Sequence, residues 1–211
     1  TEHFLPGMHW LEVLDLALRA TYGRVHCCIN AGIGGHTSRD LLERFARDAA
    51  CYLPHVALIT IGGNDASPGK GISAEQFHGN LRDLHRRFTE MGCLVVFQTY
   101  YSPDPTRAGD LSAFHRAMDQ VRTVADETAA GLIDHLARWE PFRLAFPQRY
   151  LRLMHDGFHL NRHGNKVMGL DIARAFEARV PPDPEGYWDE ALDIQAGMDA
   201  LAGHGTALPA V

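Results

Sequence analysis

The sequence predicts an α/β fold built on a parallel sheet. Short apolar, β-leaning runs alternate along the chain with amphipathic helical stretches of roughly 13 to 20 residues. The run from Val56 to Ile61 is apolar almost without a break, as expected of a strand covered on both faces. Size agrees: 211 residues with 45% hydrophobic side chains make one domain's worth of chain. A chain of that length buries about 70% of its unfolded surface.

Met8 to Ala20 sets Leu11, Leu14 and Leu18 on one stripe, with Trp10 beside it, at helical spacing. Val25 to Ile29 reads as a short strand ending at Asn30 and a glycine-rich turn. Ser38 to Ala50 returns to helical spacing through Leu41, Leu42, Phe45 and Ala49, and Thr37 with Asp40 fits a capping box at its start. The strand Val56–Ile61 is bounded by Pro54 and by Gly62-Gly63. Ser73 to Met91 is a helix opened by a Ser73/Gln76 box, with a stripe of Phe77, Leu81, Leu84 and Phe88. Leu94–Thr99 is a strand, Leu111–Ala130 a helix and Leu132-Ile133 a short fourth strand, and Gly164-Asn165 opens a last helix. The breaker Pro181-Pro182-Asp183-Pro184 divides residues 1–180 from an extension, 181–211, expected to pack on the surface or on a partner subunit of a homo-oligomer.

Composition excludes several classes. Twenty basic against twenty-six acidic residues give a formal charge of -6, and no basic run exists to bind nucleic acid or an anionic membrane. No apolar run approaches the ~20 residues that cross a bilayer. Four cysteines without CxxC spacing read as buried, reduced thiols, which points to a cytoplasmic setting.

Parallel α/β sheets bind ligands beyond the carboxyl ends of their strands, and three clusters fall at such places. They are Asn30-Ala31-Gly32-Ile33-Gly34-Gly35-His36-Thr37-Ser38, then Gly62-Gly63-Asn64-Asp65, then Asp156-Gly157-Phe158-His159. Taken singly they are a tight turn, an Asx turn and one of thirteen histidines. The first does not fit a dinucleotide G-x-G-x-x-G loop. His155, His159 and His163 recur at intervals of four, but Gly157 and Gly164 argue against a continuous helical metal face. Tyr100, Tyr101, Trp139 and Phe158 are candidates to line a cleft.

In that order and spacing, N-x-G-x-G-G-x-T-S, G-G-N-D and D-G-x-H resemble the SGNH hydrolases, the GDSL esterase/lipase family, over about residues 1–180. The resemblance implies a flavodoxin-like three-layer α/β/α sandwich and hydrolysis of carboxylic esters through an acyl-enzyme, with neither metal nor cofactor. It makes His159 the general base, suited by the ordinary histidine pKa of about 6.5, and Asp156 the acceptor that fixes its tautomer. Gly35 would offer a backbone N–H, and Asn64 its side-chain amide, to the oxyanion.

The family's nucleophile lies in a Gly-Asp-Ser segment that this chain does not contain. Thr1-Glu2-His3 resembles the residues that follow it, so the serine is expected just upstream of Thr1. It would lie on a first strand between the runs 25–29 and 56–61. Ser38, Ser67, Ser73, Ser102 and Ser112 lie in no G-x-S-x-G elbow. The run His159-Leu160-Asn161-Arg162-His163-Gly164-Asn165 resembles acetate-ester hydrolases, and the 111–130 helix with its following strand resembles carbohydrate acetylesterases. Acetyl esters of a carbohydrate or small alcohol are therefore the expected substrates. A lysophospholipase or thioesterase, or an inactive SGNH-like binding domain, are the alternatives.

Overall fold

In a computed structural model of the chain, residues 9–183 and 185–202 are described. Helix α1 (Trp10–Tyr22) leads into a segment with neither helix nor strand. It is followed by α2 (Ser38–Glu43), α3 (Phe45–Asp48), β1 (Val56–Thr60), α4 (Ala74–Thr89), β2 (Leu94–Gln98) and α5 (Pro105–Ala108). The chain continues through α6 (Ser112–Thr128), β3 (Gly131–Ile133), α7 (His135–Ala145), α8 (Pro147–Leu151), α9 (Arg162–Ala175) and α10 (Asp189–Ala202). Among the described residues the sheet is parallel, ordered β1-β2-β3, with Leu58 opposite Val96 and Phe97 opposite Leu132.

The pleat sends alternate side chains to opposite faces, and helices cover both. Ala57, Ile59, Val95 and Phe97 pack with Phe77, Leu81 and Leu84 of α4 and with Phe114, Met118 and Val121 of α6. Val96 and Ile133 belong to a second core with Trp10, Val13 and Leu14 of α1, Trp139 and Phe142 of α7 and Val167 and Ile172 of α9. Helix α10, within the extension after Val180, lays Ala191, Ile194 and Met198 into this same core. The result is the α/β/α layering expected.

Both expected capping boxes form. Thr37 accepts from the Asp40 N–H and Ser73 from the Gln76 N–H, and each partner side chain returns the bond. Three local readings are corrected. The 38–50 helix is two short helices, broken at Arg44, whose guanidinium reaches across to the Ala31 carbonyl at 2.6 Å. Val25–Ile29 forms no strand and pairs with none among the described residues, and Val25 is 82% exposed. A parallel ladder needs a neighbour within about 5 Å, and an open cleft lies between this segment and β1. Of the four thiols, only Cys93 is buried.

Candidate active site

The cleft beside β1 encloses about 1480 Å³, and Gly35, Asn64 and His159 all line it. They arrive from three separate loops: the turn before α2, the turn after β1 and the loop before α9.

Asp156 and His159 form a hydrogen-bonded pair. Oδ2 of Asp156 lies 2.8 Å from Nδ1 of His159, while Oδ1 accepts the N–H groups of Phe158 and His159 at 2.7 and 2.8 Å. Burial would raise the Asp156 carboxyl, but these hydrogen bonds and the adjacent ring hold it below the ordinary carboxylate range. The carboxylate thus stays charged and fixes the proton on Nδ1, which leaves Nε2 as the nitrogen turned away from Asp156. Gly157 permits this tight loop. A Cβ there would sit 2.9 Å from the Ala108 nitrogen and the Arg107 carbonyl carbon, both backbone atoms of α5.

Gly35 has φ +77°, a left-handed value that glycine adopts without strain. Its carbonyl accepts from Lys70 Nζ at 2.7 Å. Asn64 Nδ2 donates to the His36 carbonyl at 3.0 Å, so one of its two N–H groups braces the loop. The loops are tied again where the Ser38 N–H and hydroxyl donate to buried Asp65, with Asn80 Nδ2 donating to the same hydroxyl. Ser38 is accordingly a buried brace beside the cleft.

Tyr100, Tyr101, Phe114 and Phe158 also line the cleft. Trp139 does not; it is fully buried and donates to Asp171. His155, His159 and His163 do not converge, because His159 is held by Asp156 while His163 bonds Glu190 at 2.8 Å. Thr1 to His3, expected to abut the nucleophile, lie outside the described residues. Sequence reasoning passed over Lys70, the bracing role of Asp65 and that of Tyr101, whose hydroxyl donates to the Phe158 carbonyl. All three act through loop backbone or through Ser38, and no motif announces that.

The sequence profile of the GDSL-like lipase/acylhydrolase family matches residues 6–167. The chain belongs to that family. It is a carboxylic ester hydrolase by that membership, and this GDSL-like hydrolase also shares its fold with solved members. An acetyl xylan esterase, AlAXEase, is 22% identical over 79% of this chain and 90% of its own, with a TM-score of 0.70. Axe2, an acetylxylan esterase from Geobacillus stearothermophilus, is 22% identical over 81% of each chain, with a TM-score of 0.67. A lipase/acylhydrolase from Enterococcus faecalis is 22% identical over 82% of this chain and 88% of its own, with a TM-score of 0.67. Catalytic mutants of Axe2 replace a serine, an aspartate and a histidine, the last two three positions apart. No curated protein matches the GDSL-like hydrolase. None of its described helices is long and apolar enough to cross a membrane.

Proposed function

We propose that the protein is a serine esterase acting through an acyl-enzyme on acetyl esters of a carbohydrate or small alcohol. Its nucleophile is a serine carried on a strand that precedes Thr1. The observation that carries this reading is the Asp156–His159 pair, ordered by three hydrogen bonds and joined by Gly35 and Asn64 on one cleft. Among the described residues β1 has no partner on the edge away from β2, which supports the position given to the serine strand. In Axe2 the catalytic aspartate and histidine have the same three-residue separation.

In the reaction, Nε2 of His159 takes the serine hydroxyl proton as the oxygen attacks the ester carbonyl. The Gly35 N–H and the Asn64 amide receive the oxyanion, a contact that strengthens in the transition state. The alcohol leaves with the proton from the imidazolium. Water, deprotonated by the same ring, then releases the acid. Tyr100, Phe114 and Phe158 meet edge-on, with ring centroids 6.0 and 6.2 Å apart along the chain Tyr100–Phe114–Phe158. This crowded aromatic wall favours a short acyl group.

Mass spectrometry of the whole gene product after fluorophosphonate treatment tests the proposal. One adduct is expected, on a serine in the peptide preceding Thr1, together with kcat/KM that falls from acetyl to octanoyl esters. An unlabelled product would reject the serine esterase reading and favour a binding domain. Labelling with a preference for long acyl chains would move the substrate to lysophospholipids or thioesters.

A further inference from the structure

A second cluster of reactive side chains lies apart from the triad. His26 and Cys28 stand two residues apart on the segment after α1, with their donor atoms on one side. That side faces Asp15 of α1. The three donor atoms lie within 4.8 Å of one another, and His26 Nε2 is 3.2 Å from Asp15 Oδ1. Arg19 Nε holds the other carboxylate oxygen, Oδ2, at 2.7 Å. Asp15 and His26 are only 19% and 22% exposed, so this is not an acidic patch in open solvent. Among the described residues no other three His, Cys, Asp or Glu donors converge in this way.

We propose that Asp15, His26 and Cys28 bind one Zn²⁺ ion, with water in the fourth position. The donor set fits: zinc takes thiolate, imidazole and carboxylate together, at about 2.0–2.3 Å. A tetrahedron with those bond lengths spaces its ligands about 3.3–3.6 Å apart. The pair at 3.2 Å already has such an edge, and the 4.8 Å limit leaves about 1 Å of adjustment for the rest. On binding, the thiol proton passes to solvent, and bonds to the Cys28 sulfur, the His26 nitrogen and an Asp15 oxygen form as zinc-bound waters are released, one staying on the ion. The ion would clip the segment 24–31 to α1. That segment forms one wall of the cleft and has no strand partner among the described residues.

The test is a Co²⁺ titration of the metal-free full chain, which needs no turnover. A near-ultraviolet thiolate-to-cobalt band with intense visible bands is expected at one equivalent, displaced by one equivalent of Zn²⁺. Cys28→Ser should abolish the thiolate band and Cys27→Ser should keep it. His26→Gln should weaken zinc binding at least tenfold, with circular dichroism confirming that each variant is folded. Absence of the thiolate band overturns the site. So does a band that survives Cys28→Ser, or that disappears with Cys27→Ser instead.

Discussion

Tyr101 holds the backbone on both sides of His159. Its buried hydroxyl donates to the Phe158 carbonyl and accepts the Leu160 N–H at 3.2 Å, and burial pushes the phenol far above its ordinary range. The phenol therefore stays neutral, and one oxygen serves as both donor and acceptor. Two further ties hold the same loop: the Asp104 N–H on the Gly157 carbonyl at 2.9 Å, and Arg107 Nη2 on the His155 carbonyl at 3.3 Å. Tyr101→Phe removes the hydroxyl and leaves two buried backbone groups unpaired, at a cost of about 1–3 kcal/mol. With His159 as the base proposed above, small misplacements are expensive in rate, and kcat for an aryl acetate should fall roughly ten- to a hundredfold. KM should change little, and the thermal transition should remain cooperative. Steady-state kinetics beside a melting curve checks this; an unchanged kcat would make Tyr101 a packing residue only.

At the scale of elements, a buried polar chain joins one sheet face to three helices. Gln98 of β2 meets His135 of α7 at 3.0 Å, His135 meets Asp171 of α9 at 3.3 Å, and Arg138 of α7 bonds Asp171 at 2.6 Å. Arg138 also reaches Asp199 of α10, which Arg174 of α9 contacts at 3.0 Å. Burial would raise the Asp171 carboxyl, but the bond from His135, the charge of Arg138 and the Trp139 N–H hold it below its ordinary value. A carboxyl with a lowered folded pKa stabilises the fold above its unfolded pKa of about 3.9. That stability is lost as the pH falls through the lower folded value. Asp171→Asn should cost about 3 kcal/mol at pH 7, because it strips a buried cation of one partner while Asp199 remains. The gap between wild type and variant should close below about pH 4, where the unfolded wild-type carboxyl takes up its proton. Urea unfolding at pH 7, 5 and 3.5 measures it; a gap independent of pH would mean that Asp171 acts through shape alone.

For the molecule as a whole, what could be read in advance was what depends on local pattern. The central strands announced themselves because both faces of β1 and β2 are covered, and α4 and α6 did so through apolar stripes, α4 with a capping box as well, which need only near neighbours. Asp156, His159, Gly35 and Asn64 were singled out by three motifs that together resemble the hydrolase family, and the structure sets Gly35, Asn64 and His159 on one cleft with Asp156 bonded to His159. Residues 25–29 read as a strand from composition, yet a ladder also requires a neighbour, which no composition contains. Helix α10 was hidden for a related reason. Its sequence is acidic and rich in small residues, and its apolar side becomes visible only against α7 and α9. Trp188 is 5%, Ile194 2% and Met198 0% exposed, all in the core that also contains Trp139 and Ile172. Burying each such side chain is worth about 1.5–3 kcal/mol, and Asp199 supplies one of the two carboxylates on Arg138. A typical domain holds a margin of only about 5–15 kcal/mol. Ending the chain after Pro182 should therefore remove most of that margin, giving a protein that melts far below the full chain or fails to fold cooperatively. Calorimetry of the two proteins decides the matter: a shortened chain that melts within a few degrees of the full one would make residues 181–211 a surface extension, and a collapsed transition would make α10 part of the hydrolase core.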